Sequence, residues 1–134
     1  MIAADSSVVV AAFASWHESH KTASRTLDGE VRLPAHAALE SYSVLTRLPS
    51  PHRAEPELVR SFLADRFSAP LLLLDSEAHK LLLDEFVSLG IAGGAVYDGL
   101  ICATAREAEA TLVTFDRRAA TTYDRLRVSF RLLG

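Results

Sequence analysis

Apolar and polar positions alternate along the chain in blocks that change period, and those changes predict its elements. Ile2 to Ala4 is a short apolar run that stops at Asp5, the pattern of a buried strand. Ser6 and Ser7 then offer caps for a helix through Val8 to Ala14, and a second helical stretch runs from about His17 to Leu27 before Asp28-Gly29 ends it. Val31 to Leu33 predicts a second strand. Pro34 suits the start of a helix reaching Leu48, where Pro49-Ser50-Pro51 breaks it. After Pro56, Leu58, Val59, Phe62 and Leu63 form an amphipathic stripe. Leu71 to Leu74 is apolar at every position, as a central parallel strand buried on both faces would be. Ser76 to Leu89 predicts a helix ended by Gly90, followed by a Gly93-Gly94 loop. A helix over Asp98 to Ala110, a strand over Thr111 to Phe115, a helix over Arg117 to Arg125 and a strand over Val128 to Leu132 complete the chain.

Strands that alternate with helices predict an α/β fold, a mostly parallel sheet with helices on both faces. No repeat or linker divides the 134 residues, so residues 1–134 are expected to form one domain. A chain of this length should withdraw roughly two-thirds of its unfolded surface from water and needs no structural metal or disulfide. The lone Cys102 excludes both a disulfide framework and zinc sites built on paired cysteines; it reads as a small buried apolar side chain. No apolar run approaches a membrane span, and the N-terminus has no basic segment before an apolar one, so the expected location is the cytoplasm.

Charge changes the picture more than composition does. The net charge is −3, but the segment from Arg117 onwards carries +4 and the preceding residues −7. That excludes a globally basic nucleic-acid binder and leaves an acidic body with an arginine-rich edge.

In open parallel sheets, ligands bind beyond the carboxyl ends of the strands, and acids collect there. Asp5 ends the first strand and Asp116 the fourth. Glu40 sits one to two turns into the helix after the second strand, among Ala37, Ala38, Leu39 and Val44. Asp98 opens the helix after the glycine loop. Each has a plain alternative: Asp5 and Asp98 as helix caps, Asp116 as a turn residue, Glu40 as a half-exposed surface group. Together they suggest a shared site, because clustered carboxylates raise one another's pKa unless a cation compensates them. Oxygen ligands without nearby cysteine favour Mg²⁺ or Mn²⁺, and such ions serve phosphodiester hydrolysis. His36 and Glu40, spaced i, i+4, are a weaker ligand pair. RNA phosphates would need cations outside the acid cluster: Arg117 and Arg118 first, then Arg47, His52 and Arg53. Phe13, Trp16 and Tyr97 are aromatic side chains able to stack bases, though packing is the commoner use.

Four segments carry a resemblance: Ile2-Ala3-Ala4-Asp5-Ser6-Ser7-Val8, Leu33-Pro34 to Glu40 with Ser43-Val44-Leu45 after it, Tyr97-Asp98-Gly99-Leu100-Ile101-Cys102-Ala103, and Leu112-Val113-Thr114-Phe115-Asp116-Arg117. In order and spacing the chain resembles the PIN-domain ribonucleases, most of all VapC-type toxins of bacterial toxin and antitoxin pairs. The resemblance implies an Mg²⁺- or Mn²⁺-dependent endoribonuclease with sheet order 3-2-1-4-5. It implies Asp5, Glu40, Asp98 and Asp116 as the catalytic and metal-binding acids, with Ser6 and Thr114 supporting them. It also implies a homodimer and a cognate antitoxin whose C-terminal segment wraps the toxin. Ala4, where a larger apolar residue is common, and the glycine-rich stretch from Gly90 to Gly94 depart from the pattern without touching an implied ligand.

Two other enzymes fit less well. An aspartyl-phosphate phosphatase wants a second acid two residues after Asp5, where Ser7 stands; a receiver domain wants a late lysine, and only Lys21 and Lys80 exist. The non-enzyme alternative is a PIN-like scaffold that binds RNA or protein without cutting.

Overall fold

The computed structural model describes all residues from Met1 to Gly134. Four short strands, β1 (Ile2–Ala4), β2 (Val31–Arg32), β3 (Thr111–Thr114) and β4 (Phe130–Leu132), form one sheet in the order β2-β1-β3-β4. Every pairing is parallel, with Ala4 opposite Val113 and Thr114 opposite Leu132. Parallel pairing needs crossovers, and seven helices supply them: α1 (Ser6–Phe13), α2 (His20–Thr26), α3 (Ala35–Thr46), α4 (Pro56–Arg66), α5 (Ser76–Leu89), α6 (Ala95–Glu107) and α7 (Arg117–Arg125). Consecutive strand residues point to opposite faces, and Ala3 with Ala4, and Leu112 with Val113, are fully buried. Both faces of the central strands are therefore covered, and the core extends through them into α1, α6 and α7.

Leu71–Leu74 is not a central strand. It contributes one parallel bridge, Leu72 to Pro34, at the edge beside β2, and its leucines alternate, with Leu72 buried but Leu71 43% and Leu73 74% exposed. The ladder is short because α3 begins at Ala35, leaving one bridge held by Leu72 N donating to Leu33 O and Ala35 N donating to Leu72 O, each 2.9 Å. Counting this bridge as the edge strand, the order 3-2-1-4-5 is followed across the sheet. An uninterrupted apolar run does not distinguish two buried faces from one buried face and an exposed leucine surface.

Helix starts also shift. Asp5, not Ser6 or Ser7, caps α1 by accepting from the Ser7 and Val8 backbone N–H groups. Helix α2 starts at His20, not His17, and α6 starts at Ala95, which places Asp98 in its first turn instead of at its opening. Helix α5 ends as expected on Gly90, in the left-handed conformation at φ 68° that glycine adopts without a Cβ clash. Gly99 is required for another reason: a Cβ there would lie 2.5 Å from the Phe86 ring, so its absence lets α5 press against α6 one residue after Asp98.

Candidate active site

The carboxyl ends of β1 and β3 lie side by side, tied by Asp5 N donating to Val113 O at 3.2 Å, and this brings Asp5 level with Thr114. Asp5 is only 2% exposed. Its Oδ1 caps α1 and accepts from Ser7 Oγ at 2.5 Å, while its Oδ2 accepts from Tyr123 Oη at 2.8 Å. Burial raises its pKa above the usual carboxylate value, against the opposing pull of these donors. Burial and the neighbouring Asp5 charge also raise the Tyr123 pKa, so the phenol keeps its proton and donates. Ser7 also accepts from Phe115 N at 2.9 Å and lies 3.4 Å from Thr114 Oγ1, and Thr114 Oγ1 accepts from Asp116 N at 2.9 Å. The floor of the site is thus a closed hydrogen-bonded network joining β1, α1, β3 and α7.

The mouth is organised differently. Asp98, half-buried in α6, has its pKa pushed up to about 6, first by burial, then by the charges of Glu40, Asp116 and Asp5, with Arg118 pulling the other way. Asp98, Asp116 and Arg118 line one cleft with Gly94, Ala95 and Thr122, about 430 Å³ in volume. Asp116 caps α7 through Oδ1, which accepts from Arg118 N at 2.9 Å and Ala119 N at 3.1 Å. Glu40 faces an adjoining hollow with His36, Leu39, Ser43, Arg47 and Tyr97. Its Oε1 accepts from Ser6 Oγ, and its Oε2 is 3.9 Å from His36 Nε2.

Asp5 and Asp116 are therefore helix caps as well as members of the cluster, whereas Asp98 caps nothing. The four acids share an electrostatic neighbourhood but divide between the floor, the cleft and the hollow, and no three of them converge on a single point. The donor chemistry still fits a hard divalent cation: all ligands are oxygens, and the protein bonds recorded for Asp116 and Glu40 use one oxygen of each. Arg118 lies in the cleft; Arg117, the other expected cation, is exposed on the first turn of α7 and does not line it. Cys102 is buried, and burial pushes its thiol up to about 12, which removes it from nucleophilic chemistry.

A parallel sheet with acids gathered at its carboxyl edge is the architecture the four sequence segments implied, and the sequence profile of the PIN domain matches residues 2–125. The chain belongs to the PIN domain family. Among curated PIN relatives it is 51% identical over 133 residues to Ribonuclease VapC40 of Mycobacterium tuberculosis, covering 99% of each chain. Two solved structures share the PIN fold at low identity. FitAcB from Neisseria gonorrhoeae superposes with a TM-score of 0.72 at 18% identity, over 97% of this chain and 96% of that one. VapBC2 from Rickettsia felis, bound to a DNA fragment from their promoter, gives 0.68 at 17% identity over the whole of both chains.

Sequence reasoning missed Tyr123 and underrated Ser7 in this PIN site. The signal for Tyr123 was present: Ala119, Ala120, Thr122, Tyr123 and Leu126 form the buried face of an otherwise charged helix, and a buried phenol needs a polar partner. Which partner it finds depends on α7 packing back over the end of β1, and spacing alone does not encode that.

Proposed function

We propose that this chain is a divalent-metal-dependent endoribonuclease of the VapC kind, acting as one PIN unit over residues 1–134 and restrained by a cognate antitoxin. The observation that carries the reading is Asp98: a carboxylate whose pKa is pushed up to about 6 first by burial and then by three further acids is an arrangement that a cation relieves. The whole-length identity to a protein named a ribonuclease supplies the substrate class.

In this reading Asp98 and Asp116, which share the cleft, would hold Mg²⁺ or Mn²⁺, with Glu40 adding negative charge from the hollow and Asp5 from the floor. The ion would offset charge on the scissile phosphate and lower the pKa of the attacking water. Ser6 holds Glu40 against α1, and Thr114 holds the backbone at Asp116, so both position acids without meeting substrate. Arg118 in the cleft, and Arg117 beside it, hold RNA phosphates. No helix is long and apolar enough to cross a membrane; the proposed site of action is the cytoplasm. Exposed Leu39 and Leu58, and Leu83 and Val87 on α5, supply apolar surface for the antitoxin and for a second copy in a homodimer.

The lack of three converging carboxylates favours one other reading, a scaffold that binds RNA or protein without cutting. Incubating the protein and its Asp98→Asn variant with cellular RNA in Mg²⁺, Mn²⁺ or EDTA, and mapping new RNA ends, separates the two. Discrete ends that disappear with EDTA and in the variant support the nuclease. Intact RNA in every condition, with no heat of Mn²⁺ binding by calorimetry, overturns it in favour of the scaffold.

A further inference from the structure

Beside the acid cleft lies a second hollow of about 310 Å³ whose lining is suited to a base instead of a cation. Tyr97 is 54% exposed, and its ring stacks on His36 with centroids 5.4 Å apart and planes 9° from parallel. His36, Glu40, Ser43 and Arg47 recur at i, i+4, i+7 and i+11, so they share one face of α3 that leads away from this ring. From His36 to Arg47 the helix rises roughly 16 Å, with an exposed guanidinium at its far end. Tyr97 immediately precedes Asp98 on α6, and its ring is held against His36, one turn before Glu40 on α3.

We infer that this hollow is a base-binding subsite, in which an unpaired RNA base next to the cleaved phosphate stacks on Tyr97 and the following backbone runs along α3 to Arg47. The inference rests on the nuclease reading for its substrate. The chemistry favours RNA over an apolar protein segment: apart from Leu39, the lining offers donors and acceptors to base edges, and a ring backed by a second ring is a rigid stacking platform. The strand then crosses Glu40, the acid common to the hollow and the charged cluster, and meets cations on both sides of it, Arg47 and Arg118. The other exposed aromatic pair, Trp16 between α1 and α2 with His52 beyond α3, has its ring centroids 4.1 Å apart and lines neither site, so it serves as a matched control.

The test uses a short single-stranded RNA in which adenines are replaced by 2-aminopurine, whose fluorescence is quenched by stacking. In EDTA, so that nothing is cut, the wild type and Trp16→Leu should quench it, Tyr97→Leu should not, and Tyr97→Phe should restore the quench. In Mn²⁺, Tyr97→Leu should raise KM about tenfold and change kcat less than about twofold, the usual size of one base–aromatic stack. Wild-type quenching and KM in Tyr97→Leu overturn the subsite and leave the nuclease reading intact. Equal loss in Trp16→Leu overturns it, as does loss accompanied by conversion of dimer to monomer on sizing, which assigns Tyr97 to contact between copies. If the wild type cuts no RNA, the nuclease reading fails, and the quench in EDTA decides the subsite by itself.

Discussion

The floor and the mouth of the site treat their carboxylates in opposite ways. At the floor, Asp5 is sealed from solvent and both oxygens are occupied by donors from the Ser7 and Val8 backbone, the Ser7 hydroxyl and the Tyr123 phenol. At the mouth, Asp98 is half-buried, and the groups that shift it most after burial are three other acids. A buried charge supplied with donors holds elements together, and losing a donor destabilises the fold. A charge crowded by like charges does the reverse: the protein carries a stability cost there that a ligand can remove. The floor's donors therefore serve folding, while the crowded mouth is the part that the proposed chemistry would use, although both are made of aspartate.

The largest expected effect breaks the mouth. Asp98→Asn should lower RNA cleavage by about a hundredfold or more, since in the proposed reading it removes one of the two cleft carboxylates that would hold the cation. The same change should stabilise the free protein above pH 6 by about 1 kcal/mol, a figure reduced for the solvent screening of a half-exposed group. The pH window follows from the raised pKa. The folded protein holds the Asp98 proton more tightly than the unfolded chain, where the value is near 3.8, so this contribution is complete below about pH 4 and is lost as pH rises through 6. Denaturant melts of both proteins at pH 4, pH 5 and pH 8 measure it, and the stability gap should be nearly closed at pH 4, about half open at pH 5 and full at pH 8.

Breaking the floor should reverse the balance. Tyr123→Phe leaves the buried Asp5 Oδ2 without its 2.8 Å donor and should cost about 2 kcal/mol in urea unfolding. Cleavage per folded molecule should fall far less than in Asp98→Asn. Ser6→Ala probes the seam between the regions and should have the smallest effect. It frees Glu40 from α1 at a cost below about 1 kcal/mol, with cleavage reduced a few-fold in a steady-state assay.

The same contrast explains what was legible in the sequence. Asp5, Glu40, Asp98 and Asp116 were proposed together because four acids at strand ends and near helix starts suggested one shared site, although each position alone is ordinary for a cap, turn or surface residue. Charge coupling, Ser6 on Glu40 and Thr114 on Asp116 all appear in the structure. The division of the acids among floor, cleft and hollow was not visible, because it depends on how far each helix start lies from the sheet edge. Asp98 sits in the first turn of a helix that begins at Ala95 and, like Glu40 within α3, has no capping role. Tyr123 was hidden for a related reason: its partner is 118 residues away, across a contact between α7 and the end of β1. The edge strand failed on periodicity, since four leucines in a row leave two of them outside. The parallel sheet was legible from strands alternating with helices and its order only through the resemblance, while the helix ends at Gly90 and Pro34 were legible because glycine and proline act locally.

The most direct test of a mouth that holds a cation is the melting temperature at pH 8 with and without Mn²⁺, for the wild type and Asp98→Asn. The account predicts that Mn²⁺ raises the wild-type Tm as it relieves the crowded acids, and moves the already relieved variant much less. An unchanged wild-type Tm at saturating Mn²⁺, or an equal rise in both proteins, would contradict it.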